Sequence, residues 1–69
     1  MSSSLPRFTN EENLRLFREA VAEVRPNIQS KFYYATLHRH EMLHLWMNYV
    51  NEPQRQEILR RYAIKRLAA

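Results

Sequence analysis

Leu14, Phe17, Val21 and Val24 recur at steps of three and four, with Leu16 and Ala20 beside them and Arg15, Arg18, Glu19 and Glu23 opposite. This is the period of a helix that is apolar on one side only. Thr9 precedes Glu12 by three, the spacing of a capping box in which the Thr9 hydroxyl accepts the Glu12 backbone N–H. Glu11 stands four before Arg15, a favourable pair. Pro26 ends the helix and can open the next. The pattern predicts a first helix over about residues 9–25. Residues 1–8, with a serine run before Leu5-Pro6-Arg7, read as a flexible lead to a single helical domain of residues 9–69.

From Asn27 to Val50 no proline or glycine interrupts the chain. One central helix of about 36 Å is therefore expected over residues 27–50. It carries two apolar stripes. Ile28, Phe32, Ala35, Met42, Trp46 and Tyr49 form one, interrupted by Arg39; Tyr33, Leu37, His40, His44 and Met47 form the other. Ser30, Tyr34, Glu41 and Asn48 make a narrow polar wedge. A helix apolar on two faces needs two covers. The flanking helices supply one, with Trp46 and Tyr49 expected in the core. A second copy of the chain supplies the other, so Tyr33, Leu37, His40, His44 and Met47 are expected to form a homodimer seam.

Asn51 can cap a third helix over about residues 52–67, with Pro53 in its first turn and Gln54 three after the cap. Ile58, Leu59, Tyr62 and Ala63 supply its apolar face, and Glu57 precedes Arg61 by four. Ile64 points away from that face, among basic residues. The expected fold is all-α, three helices with a long central one, paired as a dimer.

Composition narrows the alternatives. The chain has 69 residues, enough for one small domain whose core is marginal. Such domains compensate with disulfides, a metal or self-association. Cysteine is absent, which removes disulfides and thiolate sites together. Glycine is absent too, which argues against hairpin turns, a P-loop and a dinucleotide fold. No apolar run approaches the ~20 residues that span a bilayer, and the N-terminus has no apolar signal segment. A cytoplasmic location is expected.

His40-Glu41-Met42-Leu43-His44 matches H-E-x-x-H, in which two histidines one turn apart hold zinc beside a general-base glutamate. In this it resembles the zincin metallopeptidases. Catalytic zinc needs a third protein ligand. The remaining donors are His38, which points elsewhere on the helix, and Glu52 and Glu57, which follow too closely. The chain is also too short for a substrate cleft. No enzyme and no cofactor are expected, and His40 and His44 are read as part of the seam. Their protonation in mild acid would place like charges there and weaken association.

The net charge is +4, and after residue 50 Arg55, Arg60, Arg61, Lys65 and Arg66 face only Glu52 and Glu57. A basic last helix suits nucleic acid or an acidic partner. As a helix-turn-helix reader it would follow an overlong scaffold helix without a glycine turn. As a membrane-surface helix its apolar face is short and needed for the core. Protein binding is the first expectation, nucleic acid the alternative. Tyrosine, tryptophan and arginine dominate interface hot spots. Tyr34 and His38 beside the polar wedge, and Arg60, Arg61, Ile64 and Lys65 on the last helix, are the candidate partner contacts.

Length, helical pattern, lack of glycine and cysteine, and a basic C-terminus together resemble the small early bacteriophage proteins that disable host regulators, among them the quorum-sensing anti-activators of Pseudomonas phages. The resemblance implies a small helical dimer in the host cytoplasm. It further implies an inhibitor that binds the DNA-binding region of a LuxR-type transcription factor, and an ATPase that drives pilus assembly. It assigns no site residues.

Overall fold

The computed structural model describes residues 3–34 and 39–69, with the backbone alone at Tyr33 and Tyr34. Among these residues the chain is helical without strands. The helices are α1 (Glu11–Val24), α2 (Gln29–Tyr34), α3 (Arg39–Tyr49) and α4 (Glu52–Ala68), with a 3₁₀ turn at Pro26–Ile28 leading into α2.

The N-terminus of α1 is held by Asn10, one residue past the expected cap. Asn10 Oδ1 accepts the Asn13 backbone N–H at 2.8 Å. Thr9 Oγ1 instead accepts from the Asn13 side chain at 3.3 Å. Glu11 and Glu12 occupy the first turn, where the helix dipole favours negative charge. Arg15 pairs with Glu12 and Glu19, not with Glu11. Its fork reaches one carboxylate on the turn before and one on the turn after.

The single central helix is not found. Phe32 and Trp46 are fourteen residues apart, which a straight helix would spread over about 21 Å. Yet the Phe17 ring centroid lies 6.2 Å from that of Phe32 and 5.5 Å from that of Trp46. No straight rod brings both onto one ring, and the longest dimension of the fold is only 29 Å. The reason is the size of the domain. One short helix, α1, must cover both ends of the apolar stripe, so α2 and α3 converge on it as separate helices.

Phe17 is the hub. The rings of Phe8 at 5.0 Å and Tyr62 at 5.6 Å complete its surroundings in tilted and edge-on arrangements that aromatic quadrupoles favour. Ile28, Met42, Val50 and Ile58 fill the remaining core. Tyr49, expected inside, is exposed, and Val50 takes the inward position one turn after Trp46. Ala63, also expected inside, is exposed.

α1 and α4 form the main helix pair. The start of α4 is as the sequence predicts. Asn51 Oδ1 accepts the Gln54 N–H at 3.0 Å, and Gln54 Oε1 accepts the Asn51 N–H at 3.2 Å. The end of α3 is closed by arginines from elsewhere. Arg25 Nη1 donates to the Tyr49 carbonyl at 2.6 Å, and Arg55 Nε to the Val50 carbonyl at 2.9 Å. Both place positive charge at the negative end of the helix.

The lead expected over residues 1–8 contributes to the core from residue 3 onward. Leu5 is buried. The Trp46 indole Nε1 donates to the Ser3 carbonyl at 2.8 Å. Arg39 donates to the Pro6 and Leu5 carbonyls at 2.9 and 3.1 Å, and Ser3 Oγ donates to Glu52 Oε2 at 2.6 Å. Among the described residues no helix is long and apolar enough to cross a membrane.

Candidate functional site

Met42, Trp46 and Val50 turn one side of the α3 segment inward at steps of four. A neighbouring side faces outward, and it is occupied by His40, Leu43, His44 and Met47, an i, i+3, i+4, i+7 stripe. All four are exposed, Met47 by 59%. This stripe is apolar at Leu43 and Met47 and carries two imidazoles between them. Asn48 Nδ2 lies 3.1 Å from His44 Nδ1 and donates to the His44 carbonyl at 2.8 Å, which orients that ring. The His44 ring also meets Tyr49 edge-on at 6.3 Å, and Lys31 Nζ lies 5.7 Å from the centre of the Tyr49 ring.

Of the expected seam residues, the fold brings His40, His44 and Met47 onto one exposed face. Leu37 lies outside the described residues, and so does the side chain of Tyr33. Leu43 was not assigned to either stripe, although its spacing from His40 and Met47 marks it as their neighbour. Glu41 lies about 100° round the helix from His40. Among the described residues no three His, Asp or Glu side chains are placed to hold a metal ion together. His38 lies outside them.

The expected basic patch on α4 divides in two. Arg61 and Lys65 face α1. Arg61 pairs with Glu57 at 2.7 Å and Glu23 at 3.1 Å, and Lys65 pairs with Glu23 at 2.5 Å and Glu19 at 3.6 Å. These contacts hold the Glu23 carboxyl below its ordinary range, Lys65 first and Arg61 second, and push the Lys65 ammonium up. Glu57, hydrogen-bonded by Arg60 and then Arg61, is pulled down to about 2. All three cations expected to meet a partner, Arg60, Arg61 and Lys65, are therefore engaged within the chain.

The other part faces outward. Arg60 is exposed and bonded to Glu57 at 2.5 Å, with Ala63, Ile64 and Leu67 following along the same side. Leu67 is 88% exposed, more than any other large apolar residue described. Arg66 lies over the Tyr62 ring at 5.5 Å, beside Ala63 and Leu67. Leu67 was missed in the sequence, where it closes the Arg60–Ile64 stripe one turn further on. His38 and the side chain of Tyr34, the other expected contacts, lie outside the described residues.

A groove of about 540 Å³ runs between the N-terminal segment, α1 and α3, lined by Arg7, Phe8, Leu14, Arg39 and Met42 among others. Its half-buried cation, Arg39, is already spent on backbone carbonyls, since it holds those of Leu5 and Pro6. The architecture is a small helical bundle with two outward stripes, one on α3 and one on α4. No family model, curated protein or solved structure matches the chain.

Proposed function

We propose that this chain is a small protein-binding regulator that works as a helical homodimer in the cytoplasm. The outward stripe of α3 carries the reading. Leu43 and Met47 remain exposed although the core behind them is already filled by Met42, Trp46 and Val50. Copies meeting through α3 about a two-fold axis would cover the stripe with itself. Burying large apolar side chains in this way is worth about 1.5–3 kcal/mol each.

The outward side of α4 then meets the regulated protein, with Ile64 and Leu67 as apolar contacts and Arg66 for acidic groups. Tyr34 and His38 remain contacts expected from the sequence. Inhibition of a cellular protein, such as a LuxR-type transcription factor, is the activity that the resemblance to phage anti-activators suggests. Direct nucleic-acid binding is favoured less. Four of the five cations after residue 50, Arg55, Arg60, Arg61 and Lys65, already pair with carboxylates of the chain.

Sedimentation velocity at micromolar concentration tests the dimer. The wild type is expected to sediment as a dimer, and Met47→Glu as a folded monomer with an unchanged helical spectrum. A monomeric wild type overturns the α3 seam. Capture from a bacterial lysate, with Ile64→Glu as control, tests the partner face. A capture pattern unaffected by Ile64→Glu overturns that assignment.

A further inference from the structure

We propose that residues 3–8 occupy a peptide-binding site on α3, and that an extended leucine–proline segment of another protein binds there by displacing them. The site is separate from the outward stripes of α3 and α4 and draws on neither.

The site is built to receive a backbone. Arg39 and Trp46 stand seven residues apart on one side of α3, about 10 Å along the helix axis. Their donors take carbonyls three residues apart. Trp46 Nε1 holds that of Ser3 at 2.8 Å, and Arg39 Nη1 holds that of Pro6 at 2.9 Å. An extended chain covers three residues in about 10 Å, so helix and segment share one spacing and run antiparallel. Arg39 Nη2 holds a carbonyl between them, that of Leu5, at 3.1 Å.

The chemistry of the ligand follows from these contacts. Carbonyls are common to every residue, so the bonds to α3 fix the direction of the segment and not its sequence. Sequence is read by the side chains. Leu5 is buried as an apolar anchor, and Phe8 packs its ring 5.0 Å from that of Phe17 and 6.0 Å from that of Tyr62. Pro6 keeps Leu5 extended and has no N–H to satisfy. The preferred ligand is therefore leucine, proline, any residue, then an aromatic. Beside Arg7 a groove of about 540 Å³, lined by Leu14 and Met42, stays open. A foreign segment with an apolar residue in place of Arg7 gains contacts there that this one lacks.

Displacement is open to the fold. Residues 3–8 form no helix or strand and join α1 through a bend at Thr9 and Asn10, so they can leave without unwinding a helix. A segment tethered this closely competes at an effective concentration on the order of millimolar. It is the built-in competitor that a foreign ligand must outbid.

The test uses the full chain and a synthetic peptide of residues 3–9 carrying Arg7→Gln, which trypsin cannot cut. At concentrations on the order of millimolar the peptide should displace the segment. Trypsin should then cleave the chain after Arg7 at least about twofold faster, read by mass spectrometry. The same peptide carrying Leu5→Asp should leave cleavage unchanged. In a second arm, a full chain carrying Leu5→Asp releases its own segment. The first peptide should return the emission of Trp46, the sole tryptophan, towards that of the wild type. Adding Arg39→Ala to that chain should raise the peptide concentration required by about tenfold. Wild-type cleavage unmoved by the first peptide, or moved equally by both, would overturn the proposal even where the Leu5→Asp chain does not fold. A folded Leu5→Asp chain whose emission ignores the peptide would overturn it as well. Either failure would leave the α3 seam and the α4 face standing.

Discussion

The Trp46 indole nitrogen donates to the Ser3 carbonyl across forty-three positions of sequence, at 2.8 Å. One end of the chain is thereby fastened to the middle of α3. Leu5 is held in the core beneath, and Arg39 grips the two carbonyls that follow.

Trp46→Phe keeps an aromatic ring against Phe17 but removes this donor and leaves a cavity where the larger, fully buried indole was. It is expected to cost more than about 1 kcal/mol, the worth of one intramolecular hydrogen bond. Urea denaturation measures the loss. Trypsin should also cut after Arg7 faster than in the wild type. An unchanged cleavage rate would mean that the N-terminal segment is held without the indole.

The caps discriminate between neighbouring residues. Asn10 and Asn51 accept the first free N–H groups of α1 and α4. Replacing either by alanine should cost about 1 kcal/mol. Thr9→Ala, by contrast, removes only a contact to the Asn13 side chain and should cost distinctly less. Equal losses at Thr9 and Asn10 would contradict the assignment of the α1 cap.

Acid should weaken the α1–α4 contact through Glu23 and the ion pairs within α4 through Glu57. Glu57 titrates at about 2 when folded and at the ordinary 4.5 when free, and Glu23 is lowered in the same direction. A folded value below the free one means that the pairing contributes fully above about 4.5. The contribution is lost as pH falls from there towards about 2. The melting temperature should therefore hold between pH 7 and pH 5 and decline below 4.5. Because these pairs are solvated, half-molar salt should blunt the decline. Glu23→Gln should blunt it as well. A decline equally steep in the variant would place the acid sensitivity elsewhere.

Much of the helical inventory was legible in the chain itself. The amphipathic run ending at Val24, the stop at Pro26, the capping box of Asn51 and Gln54, and the outward turn of Ile64 all depend on residues within one or two helical turns. Such interactions can be read from spacing alone. The candidate surface on α3 was half legible. His40, His44 and Met47 were expected together, but Leu43 joined them only when Met42, Trp46 and Val50 fixed the inward side.

What sequence determined by itself was that the chain is helical, where α4 begins, which side of α1 is greasy, and how charge collects towards the C-terminus. Tertiary structure alone decided that Gln29–Tyr34 and Arg39–Tyr49 are two helices, that Leu5 enters the core, and which cations remain available. Those outcomes turn on partners remote in the chain: Phe17 with both Phe32 and Trp46, Ser3 with Trp46, Glu23 with Arg61 and Lys65. The physical reason is a single small core. The rings of Phe8, Phe32, Trp46 and Tyr62 all meet Phe17, and no local periodicity records how far the chain must turn to bring them there.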